Sequence, residues 1–144
     1  MPCPRGDQLN SDMECYRSKG VDLIVSMLAL DEAKMLGLED ESLACAQADI
    51  DFMSSPISDF GLPEIAVFDA LVGQIADLLR DGRKVVVHCR AGIGRSGMVT
   101  AGTLIALGFE SDAAIEQVSI YRGMPIPDTA EQGKFIEEFA QRVR

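Results

Sequence analysis

Residues 88–97 read His-Cys-Arg-Ala-Gly-Ile-Gly-Arg-Ser-Gly, a cysteine followed after five residues by an arginine, with glycines between. That spacing suits covalent phosphate transfer. A glycine-rich loop lets successive backbone N–H groups curl around an anion, and a helix starting behind it points its positive end at the same spot. A Cys89 thiol so placed is acidified, because helix N-termini and nearby cations bring cysteine pKa values to roughly 3.5–7.5. The amides of Arg90, Ala91, Gly92, Ile93, Gly94 and Arg95 form the expected phosphate cradle. Arg95 adds a planar fork able to hold two phosphate oxygens. Ser96 can donate its hydroxyl toward the Cys89 sulfur and favour the thiolate as leaving group. His88, the chain's one histidine, is expected to brace the loop through hydrogen bonds rather than to deliver a proton.

The reaction these residues suit is hydrolysis of a phosphate monoester through a cysteinyl-phosphate intermediate. Positioning and electrostatic stabilisation carry most of phosphoryl-transfer catalysis. Backbone amides and Arg95 supply both, so the scheme needs no metal and no cofactor. The leaving oxygen does need a proton, which calls for a carboxylic acid from elsewhere. Among 23 acidic residues, Asp59 stands out by its setting in SSPISDFGLP (54–63), a loop of small residues, Gly and Pro. Such a loop can close over substrate and bring an acid in. Asp49 and Asp51 fall on the preceding strand, without that freedom.

The elements that must position these groups follow from periodicity and punctuation. A helix is expected over 8–19, ending at Gly20. VDLIVSML (21–28) reads as a buried strand. Two short helices broken near Gly37 cover 31–48, and DIDFM (49–53) is a second strand. Pro63 reads as the first residue of a long helix to Arg80, with Ile65, Phe68, Leu71, Val72, Ile75 and Leu79 on one face. After the Asp81-Gly82 turn, KVVVHC (84–89) reads as a parallel strand covered on both faces. Helices follow over 95–107, from a Ser111 cap to Arg122 with Gly123 ending it, and after Asp128 with Phe135, Ile136, Phe139 and Val143 on one face. This alternation means α/β, a single three-layer domain over 1–144 with a mainly parallel central sheet flanked by helices. Ligands bind beyond the carboxyl ends of such strands, where Cys89 falls.

Composition narrows the partners. The chain has 144 residues, 47% of them hydrophobic and 25% charged, ordinary for a globular protein. No apolar run approaches a membrane span, and MPCPRGDQLNSDMECYR lacks the apolar core of a signal peptide, so a reducing cytoplasm is expected. The net charge of −10 argues against nucleic acid and anionic membranes. Yet 82–109 holds Arg83, Lys84, Arg90 and Arg95 and no acid, a positive window in an acidic chain. Arg83 and Lys84 are expected to decorate a turn. Cys3, Cys15, Cys45 and Cys89 show no CxxC pairing, which argues against zinc and a disulfide framework. Cys15 and Cys45 are expected to be buried; one of them as a transient disulfide partner of Cys89 is the alternative.

HCRAGIGRSG resembles the active-site loop of cysteine-based protein tyrosine phosphatases, and the chain's size resembles the small dual-specificity branch. The resemblance implies a general acid about thirty residues before the nucleophile; Asp59 is at that distance, within the similar PISDFGLP. IPDTAEQGKFIEEF (126–139) is similar to the segment whose glutamine orients the hydrolytic water, which implies that role for Gln132. A capping box from Thr129 to Gln132 is the purely structural alternative. GVDLIVSML followed by Glu32 is similar to a strand and acid that buttress the arginine in some relatives. No aromatic recognition loop deepens the cleft, so phosphoserine and phosphothreonine could enter beside phosphotyrosine on a protein or peptide. The loop's Ala91, Gly92, Ile93 and Gly94 include none of the lysines of the lipid-phosphatase branch, which makes inositol phospholipids the minority option. The order of acid and nucleophile speaks against low-molecular-weight phosphatases and arsenate reductases, and the separate acid loop against rhodanese-like enzymes. A non-catalytic phosphoprotein-binding module would be expected to lack the cysteine, arginine or acid.

Overall fold

The computed structural model describes residues 1–143. Among these, three strands form one wholly parallel sheet in the order β2-β1-β3: β1 (Leu23–Ser26), β2 (Asp51–Ser54) and β3 (Val85–His88). The register is level. Ser26 pairs with both Ser54 and His88, so all three chains leave the sheet at one height and the following residues gather at one end. Every residue of β1 is buried, as a central strand between two helical layers must be.

Among the described residues, seven α-helices flank the sheet: α1 (Leu9–Ser18), α2 (Leu30–Met35), α3 (Glu41–Gln47), α4 (Ile65–Arg80), α5 (Arg95–Ala106), α6 (Ser111–Arg122) and α7 (Ala130–Val143). Alternate strand residues face opposite layers. Leu23, Val25, Val85 and Val87 pack with α4, α5 and α7, whereas Ile24, Phe52 and Val86 pack with Met13 of α1 and Cys45 of α3. Phe68 of α4 makes edge-to-face contacts with Phe135 and Phe139 of α7 at 4.9 and 5.0 Å. Gly102 lets α5 lie close against α4, because a Cβ there would meet Phe68 Cζ at 2.6 Å. This packing holds the start of α5, and with it Arg95, in place.

Several expectations are corrected. β3 is parallel and meets both helical layers as expected, Val85 and Val87 on one side and Val86 on the other, but it lies at the sheet edge and these residues are only half-buried. Pro63 precedes the helix rather than opening it, because Glu64 keeps extended backbone (φ −68°, ψ 134°) and α4 starts at Ile65. Ser111 is likewise the first helical residue, with extended Glu110 in the cap position. Asp49 lies in a turn at φ 60°, a conformation aspartate tolerates better than most residues, and only Asp51 is on the strand. Cys15 is exposed, while Cys45 is buried against Met13. Arg83 and Lys84 do more than decorate: Arg83 pairs with Asp22 and Asp51, and the Lys84 amide bonds the Asp22 carboxylate.

Candidate active site

β3 ends at His88, the chain turns through 89–94, and α5 begins at Arg95. This strand–loop–helix arrangement puts Cys89 in front of a helix N-terminus, with its side chain buried. Its sulfur lies 3.2 Å from Ser96 Oγ and receives the Gly92 amide at 3.2 Å. Burial pushes the thiol pKa up, but hydrogen bonds from the Ser96 hydroxyl and the amides of Ser96, Gly92 and Ile93 outweigh it, so the net shift is downward. Gly92 adopts φ 76°, and its α-carbon lies so close to the Met1–Pro2 backbone that a side chain has no room.

Arg95 is 2% exposed. Its Nη1 donates to Glu32 Oε1 at 2.6 Å and to the Ile57 carbonyl at 2.8 Å, and its Nη2 to Glu32 Oε2 at 2.9 Å and Asp59 Oδ1 at 3.2 Å. Burial opposes the charge on Arg95, yet Glu32, Asp59 and Cys89 raise its pKa overall. In return, the Arg95 hydrogen bond holds the Glu32 carboxyl below its ordinary range. Glu32 sits in the first turn of α2 and also accepts the Ala29 amide at 3.3 Å. A planar bidentate pair of this kind fixes the guanidinium's orientation as well as its charge.

Asp59, Phe60, Cys89, Arg90, Ala91, Arg95, Asp128 and Gln132 line one cavity of about 250 Å³. The acid loop thus meets the cysteine loop. Gln132 is fully buried; its Oε1 accepts the Asp128 and Thr129 amides, its own amide bonds Thr129 Oγ1, and its Nε2 faces the Gly61 carbonyl at 3.5 Å. The capping box is therefore formed, by a glutamine that also borders the cavity. Gly94 leads into α5, and a Cβ there would crowd the Asp128 carboxylate and the Gln132 amide. Ile93 turns its side chain into the core and contributes its amide. His88 does not line the cavity. It is fully buried, with Nε2 2.6 Å from Glu41 Oε2 and Nδ1 3.3 Å from the Cys89 carbonyl.

Three participants were not singled out from the sequence. Arg122, at the end of α6, donates from Nε to the Gly92 carbonyl and from Nη2 to the Ala91 carbonyl, both at 2.9 Å. Its position before a helix-ending glycine signals only a helix terminus. Asp128 lies inside the IPDTAEQ segment without any local mark of its own. Glu41 is one acid among many. A larger, mainly apolar hollow of about 440 Å³ lies behind the loop between α5 and α6, with neither Cys89 nor Arg95 in its wall.

The family model "Polymorphic toxin system, DSP-PTPase phosphatase" matches residues 1–109, the stretch holding Glu32, Asp59, Cys89 and Arg95. The chain belongs to the DSP-PTPase phosphatase family. Among curated relatives of this DSP-PTPase, human cyclin-dependent kinase inhibitor 3 is 31% identical over 90 residues, 61% of this chain and 42% of that protein. Bovine protein tyrosine phosphatase domain-containing protein 1 is 31% identical over 138 residues, 90% of this chain and 17% of that protein. The DSP-PTPase thus matches less than half the length of either. The structure of kinase associated phosphatase with serine at its catalytic-site cysteine superposes with a TM-score of 0.86 at 26% identity, covering 93% of this chain and 76% of that one. PTPMT1 in complex with PI(5)P shares the fold, with a TM-score of 0.81 at 21% identity over 99% of this chain and 88% of that one. The tyrosine-phosphatase resemblance of HCRAGIGRSG, the dual-specificity branch suggested by size and the α/β expectation all hold.

Proposed function

We propose that this chain is a protein phosphatase that hydrolyses phosphotyrosine, and also phosphoserine and phosphothreonine, through a cysteinyl-phosphate intermediate. The observation that carries the reading is the Cys89 sulfur held by Ser96 Oγ and the Gly92 amide in the cavity that Arg95 and Asp59 share. The Cys89 thiolate attacks phosphorus, the 90–95 amides and Arg95 hold the three non-bridging oxygens, and Asp59 gives its proton to the leaving oxygen. Water then attacks phosphorus with Gln132 orienting it and Asp59 taking its proton. The sulfur leaves as a thiolate that Ser96 stabilises.

The cavity's charges favour a single phosphate on a protein side chain. Arg95 is already balanced by Glu32, and Arg90 is the other cation in the wall, opposed by Asp59 and Asp128. A multiply phosphorylated inositol would bring its further phosphates against those carboxylates. All four cysteines are free thiols, which suits work in a reducing cytoplasm. Turnover of p-nitrophenyl phosphate by the purified chain, lost in Cys89→Ser, tests the mechanism; normal turnover in that variant would sink it. A panel of phosphotyrosine, phosphoserine, phosphothreonine and inositol-phosphate substrates tests the specificity, and preference for the inositol phosphates would overturn it.

A further inference from the structure

The hollow behind the phosphate loop, between α5 and α6, has a volume of about 440 Å³. Small-molecule sites commonly measure roughly 300–1,000 Å³ and set a few polar groups in an apolar wall. Leu104, Phe109, Val118 and Tyr121 supply such a wall here, and Arg122 is the one charged side chain in it. Phe109 and Tyr121 are 44% and 88% exposed, which costs hydrophobic free energy until apolar atoms cover them. The charge is as telling as the shape. The chain carries 23 acidic residues and a net charge of −10, yet no acid stands in this wall. Arg5, Arg17, Arg80, Arg83 and Arg95 each pair with a carboxylate. Among the described residues, Arg122 pairs with none. Its Nε and Nη2 hold the Gly92 and Ala91 carbonyls, which leaves Nη1 to donate elsewhere.

We propose that this hollow is a regulatory site for a small amphiphilic carboxylate of roughly ten carbons, its chain among the apolar side chains and its acid group on Arg122. Charge complementarity selects that occupant. A purely apolar molecule would leave the arginine unmatched, and a polyanion would meet one cation and apolar walls. A protein partner would need roughly 800 Å² of fitted surface on this chain, whereas a hollow of about 440 Å³ seats only a few side chains. The site reaches the catalytic one through shared residues. Gly92 and Ser96, whose amide and hydroxyl hold the Cys89 sulfur, stand in the same wall. A carboxylate on Arg122 competes for the guanidinium with the Ala91 and Gly92 carbonyls and so loosens the loop. Such a ligand inhibits while leaving the catalytic cavity open. That consequence rests on the phosphatase reading; the binding itself does not.

Decanoate below its micellar concentration is the probe, with decanol as its uncharged counterpart. Calorimetric titration of the wild-type chain should show one saturable site for decanoate and about tenfold weaker binding of decanol. Arg122→Gln should weaken decanoate binding by about the same factor. Gln117→Trp, which fills the hollow from a half-buried position on α6, should abolish it, and keeps the test valid where Arg122→Gln disturbs the loop. With p-nitrophenyl phosphate as substrate, decanoate should lower kcat severalfold and leave KM nearly unchanged. Absence of saturable binding, or decanol binding as tightly as decanoate, would dispose of the proposal. So would competitive inhibition, which puts the ligand in the Cys89 cavity, or undiminished binding by Gln117→Trp. A chain that dimerises through this face, with the dimer lost in Gln117→Trp, would make a second copy the occupant instead. Decanoate binding by a chain that hydrolyses no phosphate ester would uphold the site and count against the phosphatase reading alone.

Discussion

Asp59 Oδ1 lies 3.2 Å from Arg95 Nη2, on a guanidinium whose Nη1 and Nη2 are both engaged by Glu32. The candidate acid therefore occupies an arginine face that a bound phosphate would also use. A dianion taking that Nη2 donor would have to displace Asp59 from Arg95. The ion pair orders the loop without contributing much energy, since Asp59 is 42% exposed and exposed pairs are worth little.

Replacing Asp59 with Ala should slow turnover by about 10²–10⁴, and the loss should be greatest for poor leaving groups such as alkyl phosphates. Rates across a series of substituted phenyl and alkyl phosphates check this. An equal loss along the series would assign the proton to another acid.

The Arg95–Glu32 pair should govern acid stability. Its carboxyl is depressed in the folded protein by the Arg95 hydrogen bond, so its contribution is fully present above the unfolded value near 4.5 and fades as the pH falls through the folded one. Glu32→Gln should lose roughly 3 kcal/mol at neutral pH, the scale of breaking a buried pair. It should also lose this group's share of the acid-side fall in stability. Melting curves from pH 7 down to pH 3 measure both; parallel profiles for wild type and variant would refute the linkage.

Asp128 should set a limit on substrate charge. Asp128→Asn should leave p-nitrophenyl phosphate turnover within a few-fold while improving kcat/KM for inositol bisphosphates by about tenfold, the effect of ~1.4 kcal/mol of relieved repulsion. No change in the ratio between the two substrate classes would remove Asp128 from specificity.

The loop was legible in the sequence because its chemistry is local: cysteine, glycines, arginine and serine lie within eight consecutive residues, between an apolar run and a helix. Asp59 was found by the composition of its loop. Glu41, Arg122 and Asp128 were not found because they reach the loop across 47, 30 and 34 residues of chain, and nothing in their neighbours announces it. The edge position of β3 escaped for a related reason. An apolar run such as Val85–Val87 states that both faces meet side chains, but not whether another strand lies beside it. Pro63 and Ser111 were misplaced by one or two positions, the scale on which helix ends are set by backbone angles rather than residue type.

Arg122 settles a matter that the Cys89 environment leaves implicit. Because the peptide unit is planar and trans, the Ala91 carbonyl is locked to the Gly92 N–H and the Gly92 carbonyl to the Ile93 N–H, pointing opposite ways. By gripping those two carbonyls from outside, Arg122 turns inward the same two amides that help acidify the Cys89 thiol. A peptide flip at either unit would aim a carbonyl at the anion and must first tear an arginine bond. The loop is thereby preorganised for negative charge, and binding spends little entropy on arranging it.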